Sequence, residues 1–572
     1  MSHIISSKFH QNSNTMNNYD NLKGKIVVAM ATIASGLLCC CGSENAQNSH
    51  NVDYIAVQID KNEGWSIIDK NGDVVVKDEY DANSQLSNIT DGVYWVKDSN
   101  GYQLFSLDSP KKALTNEVYE EATDFAAGRA VVIREGSPIQ IVNTKGEVVK
   151  TLSRSITKVY PFNPAGYAVF YEGDKKGVID TEGNVTFKGN YSYLSYISDR
   201  YSELILADSG NGTYLILDKD GQEHGKFSAN RYHPICTFSE GLIAVVESSD
   251  PYPDNSLPVS FINEKGEKQF ALKKSQWKIE GHTIAHYLID GYIVYASNSN
   301  GLRYGVADKD GNEVIRPKYE NMYHIGKGFF LAKKNEKWGV INTNDDTLVP
   351  FDYDEARDQM LGDNFLLKQE DYFYIVGRDG KELKKDGFYN LALSPCNNEV
   401  TFVDLDCVAE DLIVPIQKFS PNLKPETILT AMGEELSTKR TTSSYITQSL
   451  SFEKLDEQYN IAYHYNGMIA YQKTHEETYN DGWFDQKRTI SDGLAWSDVQ
   501  LVQITVSCDL SSRNITSQKL FRCLKRTLIQ KGFHEVDPNS FLFTNDQLQV
   551  VIRSERNGVE IIAVPKSTHS DT

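Results

Sequence analysis

Beyond residue 41 the chain carries five cysteines, Cys236, Cys396, Cys407, Cys508 and Cys523. An odd number spread over so long a chain excludes a disulfide-dense scaffold. No CxxC pair occurs among them, which removes the commonest zinc and redox spacings. Most read as small buried hydrophobes. A basic stripe is also missing. With 58 Lys and Arg against 78 Asp and Glu, a formal charge of -20, the chain is a poor partner for nucleic acid, because phosphate binding needs clustered cations. No HExxH, GxxxxGK[ST], GxSxG elbow, or GxGxxG after a strand occurs. Between His50 and Ala392 no run keeps a sustained 3.6-residue period, so that region reads as all β.

What is present begins near the N-terminus. Lys23 and Lys25 precede the thirteen-residue apolar run Ile26 to Leu38, and "CCCGSENAQNS" follows. A positive start, a short apolar core and a small-residue exit describe a secretory signal, and thirteen residues are too few to span a bilayer comfortably. The exit resembles a bacterial lipobox, with Cys41 in the modified position and Leu38 three residues before it. Cys40, with Leu37 in register, is the alternative. The resemblance implies diacylglyceryl attachment, cleavage before the cysteine and acylation of the new N-terminus. Multiple acyl chains give stable anchoring. The expected location is therefore the bacterial cell envelope, on the outer membrane, with either face open. The fifteen residues before Met16 fit no signal, and a start at Met16 would give an ordinary one.

The body of the chain repeats. A turn rich in Asp, Asn, Lys and Gly recurs between apolar runs, with Gly72, Gly146, Gly183, Gly221, Gly266, Gly311 and Gly380 as anchors. Two copies lack the glycine, near Ser109 and Asp346. The nine anchors step by 37, 37, 37, 38, 45, 45, 35 and 34 residues. A second register keeps the same beat: Gly92, Gly128, Gly166, Gly241, Gly291, Gly328 and Gly362 each open a fresh apolar run, with one copy missing near Arg200. Each unit reads as strand, turn, strand, tight hairpin, strand and a polar-aromatic link. Asp and Asn start such hairpins by bonding nearby backbone, and Gly supplies the positive φ.

Trp338-Gly339 in "KWGVINTNDDTLVPFDYDEA", Tyr304-Gly305 in "RYGVADKDGNEVIRPKYENM" and Lys176-Gly177 in "KKGVIDTEGN" resemble the bacterial WG β-repeat family. Its unit runs Trp-Gly-hydrophobic-Ile-Asp, a turn glycine, an apolar pair with Pro, then Tyr-Asp. The likeness covers about residues 52–395 and is close around Gly72, Gly183, Gly311 and Asp346. Elsewhere the pair is lost, as in "GWSIID" at Trp65. Trp65, Tyr304 and Trp338 are expected to be core residues between units, and Gly177, Gly305 and Gly339 to lie where a ring or a neighbouring backbone packs closely. Units of about 37 residues suit propeller blades, whose radial closure hides sheet edges. Nine units exceed the usual eight, so an open β-solenoid is the alternative.

After about Val400 the beat stops. "LKPETILTAMGEELSTK" and "ITSQKLFRCLKRTLIQKGF" carry helical stripes, the second closing at Gly532. "DLIVPI" and "VQLVQITVSC" read as strands, "YNIAYHYNGMIAYQK" and "LQVVIRSERNGVEIIAV" as hairpins, and "TYNDGWFDQKRTISDGLAWSD" as an exposed loop insertion. The map is an N-terminal extension and signal (1–41), a polar linker (42–51), the β-repeat array (52–398), a smaller α+β domain of two similar halves (399–567) and a tail (568–572).

His282 and His286 stand four apart in a context that alternates like a strand, about 13 Å apart by strand rise, with no further metal ligand identified. The "DKDG" turns at Asp218 and Asp308 lack the ligand ladder of a calcium loop. No catalytic residue, cofactor or metal site emerges. Two functions remain: a membrane-anchored envelope lipoprotein whose array binds protein or glycan, or an unrecognised hydrolase in the C-terminal region with the array as its targeting module.

Overall fold

In the computed structural model, the described residues are 51–419 apart from 62, 135, 196–203, 251–252, 280–281, 285 and 299–300. They continue over 440–566 apart from 444–447, 457–460, 470–473, 481–484, 492–500, 510–516, 538–540 and 556–557. The signal segment with Cys40 and Cys41, and the missing repeat copy near Arg200, lie outside them. The chain divides into two compact units at Thr401/Phe402.

Among the described residues the first unit is a succession of nine sheets of three to five strands, antiparallel but for one parallel pairing, with a further two-stranded ribbon of Lys278–Ile279 and His282–Thr283. In order they span 54–80, 85–106, 121–151, 156–190, 193–228, 232–272, 275–319, 321–353 and 355–376. Sheet eight shows the pattern: Asn321–Gly326, Phe329–Lys334, Lys337–Asn342 and Thr347–Tyr353 pair with their neighbours in chain order. The polar-aromatic link "KYENMYHIG" is therefore no simple connection. Its second half is the first strand of the next sheet, because Met322 and Ile325 alternate into the two flanking cores. Second and third strands, such as Lys337–Asn342, are buried on both faces and so read as continuous apolar runs. Fourth strands such as Val185–Asn190 are largely exposed, which places them at the outer rim.

The succession closes on itself. Apolar clusters join sheets one and two (Trp65, Tyr80 with Leu86, Tyr94), two and three (Trp95, Tyr119 with Ala130, Val142) and four and five (Val178 with Ile205). Others join five through seven, seven to eight, and eight to nine. Sheets three and four meet through Arg129, which bonds the Thr181 carbonyl at 2.9 Å and pairs with Glu182 at 2.7 Å. Ile55, Val57 and Ile68 of sheet one share a core with Leu361, Leu366, Phe373 and Ile375 of sheet nine. That last cluster decides between the two architectures. The array is a closed, propeller-like ring and not an open solenoid. Both ends of the array reinforce the closure: Asn51–Val52 pair in parallel with Met360–Leu361, and Asn390–Leu391 supply the first strand of sheet one.

The second unit is one eight-stranded antiparallel sheet, with helices α1 (Leu405–Lys418) and α2 (Ser517–Gln530) contributing to its core. Its strand order mirrors about the pairing of Leu501–Asp509 with Gly558–Pro565, so each half is a four-stranded meander ending at the centre. Three local expectations are corrected. "DLIVPI" lies inside α1, where Val408, Leu412 and Ile416 recur on one buried stripe; a short apolar run cannot by itself tell strand from helix. "YNIAYHYNGMIAYQK" holds one long strand, Ile461–Ile469, paired on both edges, in place of the expected hairpin. The stretch read as a loop insertion contains a two-stranded hairpin, Thr474–Asn480 with Asp485–Ser491. α2 ends as expected: Gly532 adopts φ 88°, and the amides of Gly532 and Phe533 bond back to Ile529 and Leu528. The stretch "LKPETILTAMGEELSTK" lies outside the described residues.

Candidate functional site

The Trp-Gly pair occupies one geometry in three sheets. Trp338 opens the third strand of sheet eight and pairs across it with Tyr353, the Tyr of its own unit's Tyr-Asp ending. Tyr304 pairs likewise with Tyr319, and Trp65 with Tyr80. Two residues further on, the register has slipped: Val340 faces Val349, Val306 faces Ile315 and Ile67 faces Val76. The fourth strand thus bulges opposite the residue after the aromatic. A Cβ on Gly339 would sit 2.7 Å from the Val349 carbonyl oxygen, and one on Gly305 2.5 Å from that of Ile315. At Gly177 the Phe187 carbonyl would be 2.3 Å away. At these three positions the facing carbonyl leaves no room for a Cβ unless the strand shifts. Sheet one has Ser66 in this place, and its Oγ accepts the Asp78 amide at 2.8 Å.

The aromatic partners face neighbouring sheets. Trp338 is 8% exposed in the core between sheets eight and nine and stacks on Tyr323 with ring centroids 5.5 Å apart. Trp65 is 7% exposed between sheets one and two. Tyr304 is half-buried against the core of sheets seven and eight. Lys176, in the aromatic's place in sheet four, lies over the Tyr171 ring and bonds the Tyr191 carbonyl at 2.6 Å; burial pushes its pKa down.

The recurring turns consume their own polar groups. In seven of the nine, the first Asp or Asn accepts from the amides two and four residues on, as Asp308 does from Asp310 at 3.0 Å and Asn312 at 2.8 Å. Asp69, Asn143, Asp180, Asp218, Asn263 and Asn342 repeat the arrangement. Slight burial raises the carboxyl pKa of Asp308, but the hydrogen bonds from Asn312 and the backbone outweigh it, and the group stays below its ordinary value. A hairpin accounts for both "DKDG" turns. Where glycine is missing in sheet eight, Asp345 takes the left-handed position at φ 67° and accepts the Tyr319 hydroxyl at 2.7 Å.

Acids also reach from one sheet to the next, a layer the sequence reading missed. Glu240 of sheet six accepts the amides of Asp290 and Gly291 in sheet seven at 2.6 and 3.0 Å. Asp290 in turn accepts the Lys327 amide of sheet eight at 2.6 Å, and Asp91 accepts that of Gly128 at 2.9 Å. These turns have positive φ at two consecutive residues, which points adjacent amides outward. On another set of hairpins Glu320 accepts the Asn335 and Glu336 amides, and Asp354 that of Glu370. Glu320 and Asp354 follow Tyr319 and Tyr353, so the acid of the Tyr-acid ending caps the next sheet. Its recurrence after the tyrosine was the available signal.

The histidines do not form a pair on one strand. His282 lies in a two-residue strand, whereas His286 is fully buried between sheets, its Nδ1 at 2.8 Å from the Ile284 carbonyl. Burial pushes His286 down to about 4, so it is neutral at pH 7. Among the described residues no three His, Cys, Asp or Glu side chains are placed to hold a metal ion. Cys236 and Cys508 are buried, Cys396 and Cys523 half-buried, and Cys407 exposed. No helix among the described residues is long and apolar enough to cross a membrane.

Three segments, 65–102, 304–338 and 338–358, match the family described as WG containing repeat. Each segment begins on one of the three cross-strand aromatics, Trp65, Tyr304 and Trp338. No curated protein matches the chain. Solved structures similar to it include a eukaryotic initiation factor, at 9% identity and TM-score 0.41, covering 60% of this chain and 100% of that one. BamB from Moraxella catarrhalis matches at 11% identity and TM-score 0.27, covering 52% and 92%. The Dos1 propeller matches at 12% and 0.30, covering 48% and 85%. The ring assignment rests on the sheet pattern and the core between sheets one and nine.

Proposed function

We propose that this protein is a lipid-anchored scaffold of the bacterial cell envelope, whose ring binds a protein or glycan partner through its rims. The observation that carries the reading is the division of labour within each sheet. The repeated residues (the Trp-Gly pair, the turn Asp and the Tyr-acid ending) are spent on packing and on hydrogen bonds inside the ring. The stretches that break the repeat are insertions between strands, such as "SSDPYPDNSLP" before Gly266, and binding residues concentrate on loops held by a rigid scaffold. The overall charge of -20 favours a neutral or cationic partner over an anionic one. Diacylglyceryl attachment at Cys41, with Cys40 as alternative, would hold the ring at the outer membrane.

Two measurements test the proposal. Cys41→Ala should abolish incorporation of labelled fatty acid and release the protein from membranes. Labelling that persists in Cys41→Ala and disappears in Cys40→Ala moves the site by one residue, and labelling indifferent to all three adjacent cysteines ends the anchor reading. Cross-linked capture from the native envelope should then place partner contacts on the hairpins of residues 54–376. Contacts confined to residues 402–566 would end the ring-surface reading.

A further inference from the structure

In sheets one, seven and eight the slot at the head of the third strand holds Trp65, Tyr304 or Trp338, paired across to a buried tyrosine, Tyr80, Tyr319 or Tyr353. The junction of sheets four and five departs from this pattern. Lys176 stands in the slot, two residues before Val178 of the core between these sheets. Tyr191 follows Gly183 at the same distance as Tyr319 follows Gly311, but its ring does not enter the slot. It lies back over Gly189, where a Cβ would be 2.7 Å from its Cε2, and meets Phe187 edge-on at 6.5 Å. Tyr191 is therefore half-buried where its three counterparts are buried.

The slot left open is lined by rings and one ammonium. Tyr171 pairs with Lys176 across the second and third strands, and the Lys176 Nζ lies 5.0 Å from its ring centroid. Tyr160 meets Tyr171 edge-on at 5.8 Å, with the Lys158 Nζ 5.7 and 5.6 Å from the two rings. Tyr160 and Tyr171 are half-buried at the margin of the same core. Lys158 is held by Glu399 at 2.8 Å, and Glu172 by Lys188 and the Ser155 hydroxyl. Lys176 has no such counter-ion: among the described residues no carboxylate pairs with it, and its hydrogen bond goes to the Tyr191 carbonyl at 2.6 Å. An ammonium has three N–H donors, and a half-buried one attracts an anion more strongly than a surface one.

Charge limits what can enter. Around the slot Lys158, Lys175, Lys176 and Lys188 balance Glu172, Asp174, Asp208 and Glu399. Charges further away than about 8 Å are screened at physiological salt, so this balance, and not the chain's -20, decides. One carboxylate fits, and a dense polyanion gains nothing more.

We propose that the slot between sheets four and five binds an acidic sugar, a pyranose whose C–H face packs against the tyrosine rings and whose carboxylate takes the spare donors of Lys176. This rests on the ring-surface reading and narrows its partner to a glycan. A pyranose suits the lining because tyrosine offers it an apolar ring and a polar tip together.

Full-length protein is titrated by calorimetry with three probes: a hyaluronan tetrasaccharide, whose glucuronates carry the carboxylate, neutral chitotetraose, and tetraglutamate. The glucuronate sugar should bind about tenfold tighter than chitotetraose, the effect of one charge-assisted hydrogen bond, and tighter than tetraglutamate. Lys176→Met should erase the difference between the two sugars. Lys176→Trp returns an aromatic to the slot and should abolish binding of both while the melting temperature holds or rises. Lys219→Met, over Tyr167 at the other end of the second strand, should change neither. Absence of binding, equal affinity for the two sugars, tetraglutamate as tight as the glucuronate sugar, or binding that survives Lys176→Trp would each overturn the proposal. None of these results bears on captured partner contacts at the hairpins, so the two readings fail separately.

Discussion

Trp338 and Gly339 do different work at adjacent positions. The indole fills the gap between two sheets, and the glycine lets the fourth strand bulge toward it. Trp338→Ala should destabilise the ring by on the order of 3–5 kcal/mol, through lost burial and the cavity left behind. Gly339→Val forces a Cβ against a carbonyl 2.7 Å away and should also lower the melting temperature. Unchanged melting in both variants would refute the packing role. His286 supplies a pH test. Its folded value of about 4 lies below its ordinary 6.5, so its contribution is present above pH 6.5 and is lost as pH falls toward 4. About 2.5 pH units at 1.36 kcal/mol each make this roughly 3 kcal/mol. His286→Leu should flatten the fall in stability between pH 6.5 and 4 relative to the parent, and parallel pH profiles would contradict the assignment.

Among the elements, the hairpins were the most legible in sequence, because one Asp or Asn and one glycine specify the turn locally. Asp308→Ala removes the oxygen that accepts from two amides and should cost about 1–2 kcal/mol, measured by denaturant unfolding. Glu240→Ala tests a contact that no local pattern announces. It uncaps two amides of the next sheet and should cost about 1 kcal/mol, since the site is exposed; a cost within experimental error would make the contact incidental. The first strands were harder to read. At two to seven residues they carry too little alternation, so the link after Tyr319 reads as a connection. The helix over "DLIVPI" failed for the same reason in reverse: its stripe emerges only when Val408 and Leu412 are read with Ile416. Residues 390–401 have no periodicity at all, and only the structure reveals that they pair with sheets one and four.

For the whole molecule, the repeat beat announced the array, but a beat is the same for a ring and for a solenoid. Closure depends on whether residues near 55 and near 375 share a core, a contact of high sequence separation that local pattern does not encode. The central claim is that the nine sheets close. Its most direct test is a zero-length carbodiimide cross-link on the intact protein. Lys384 and Asp73 lie 2.7 Å apart at the junction of sheets nine and one, separated by 311 residues of sequence. Peptide mapping should recover the Lys384–Asp73 adduct in the monomer, together with the sheet eight–sheet nine pair Lys327–Asp363 as internal control. Recovery of the control pair without any link between residues near 73 and residues near 384 would contradict a closed ring.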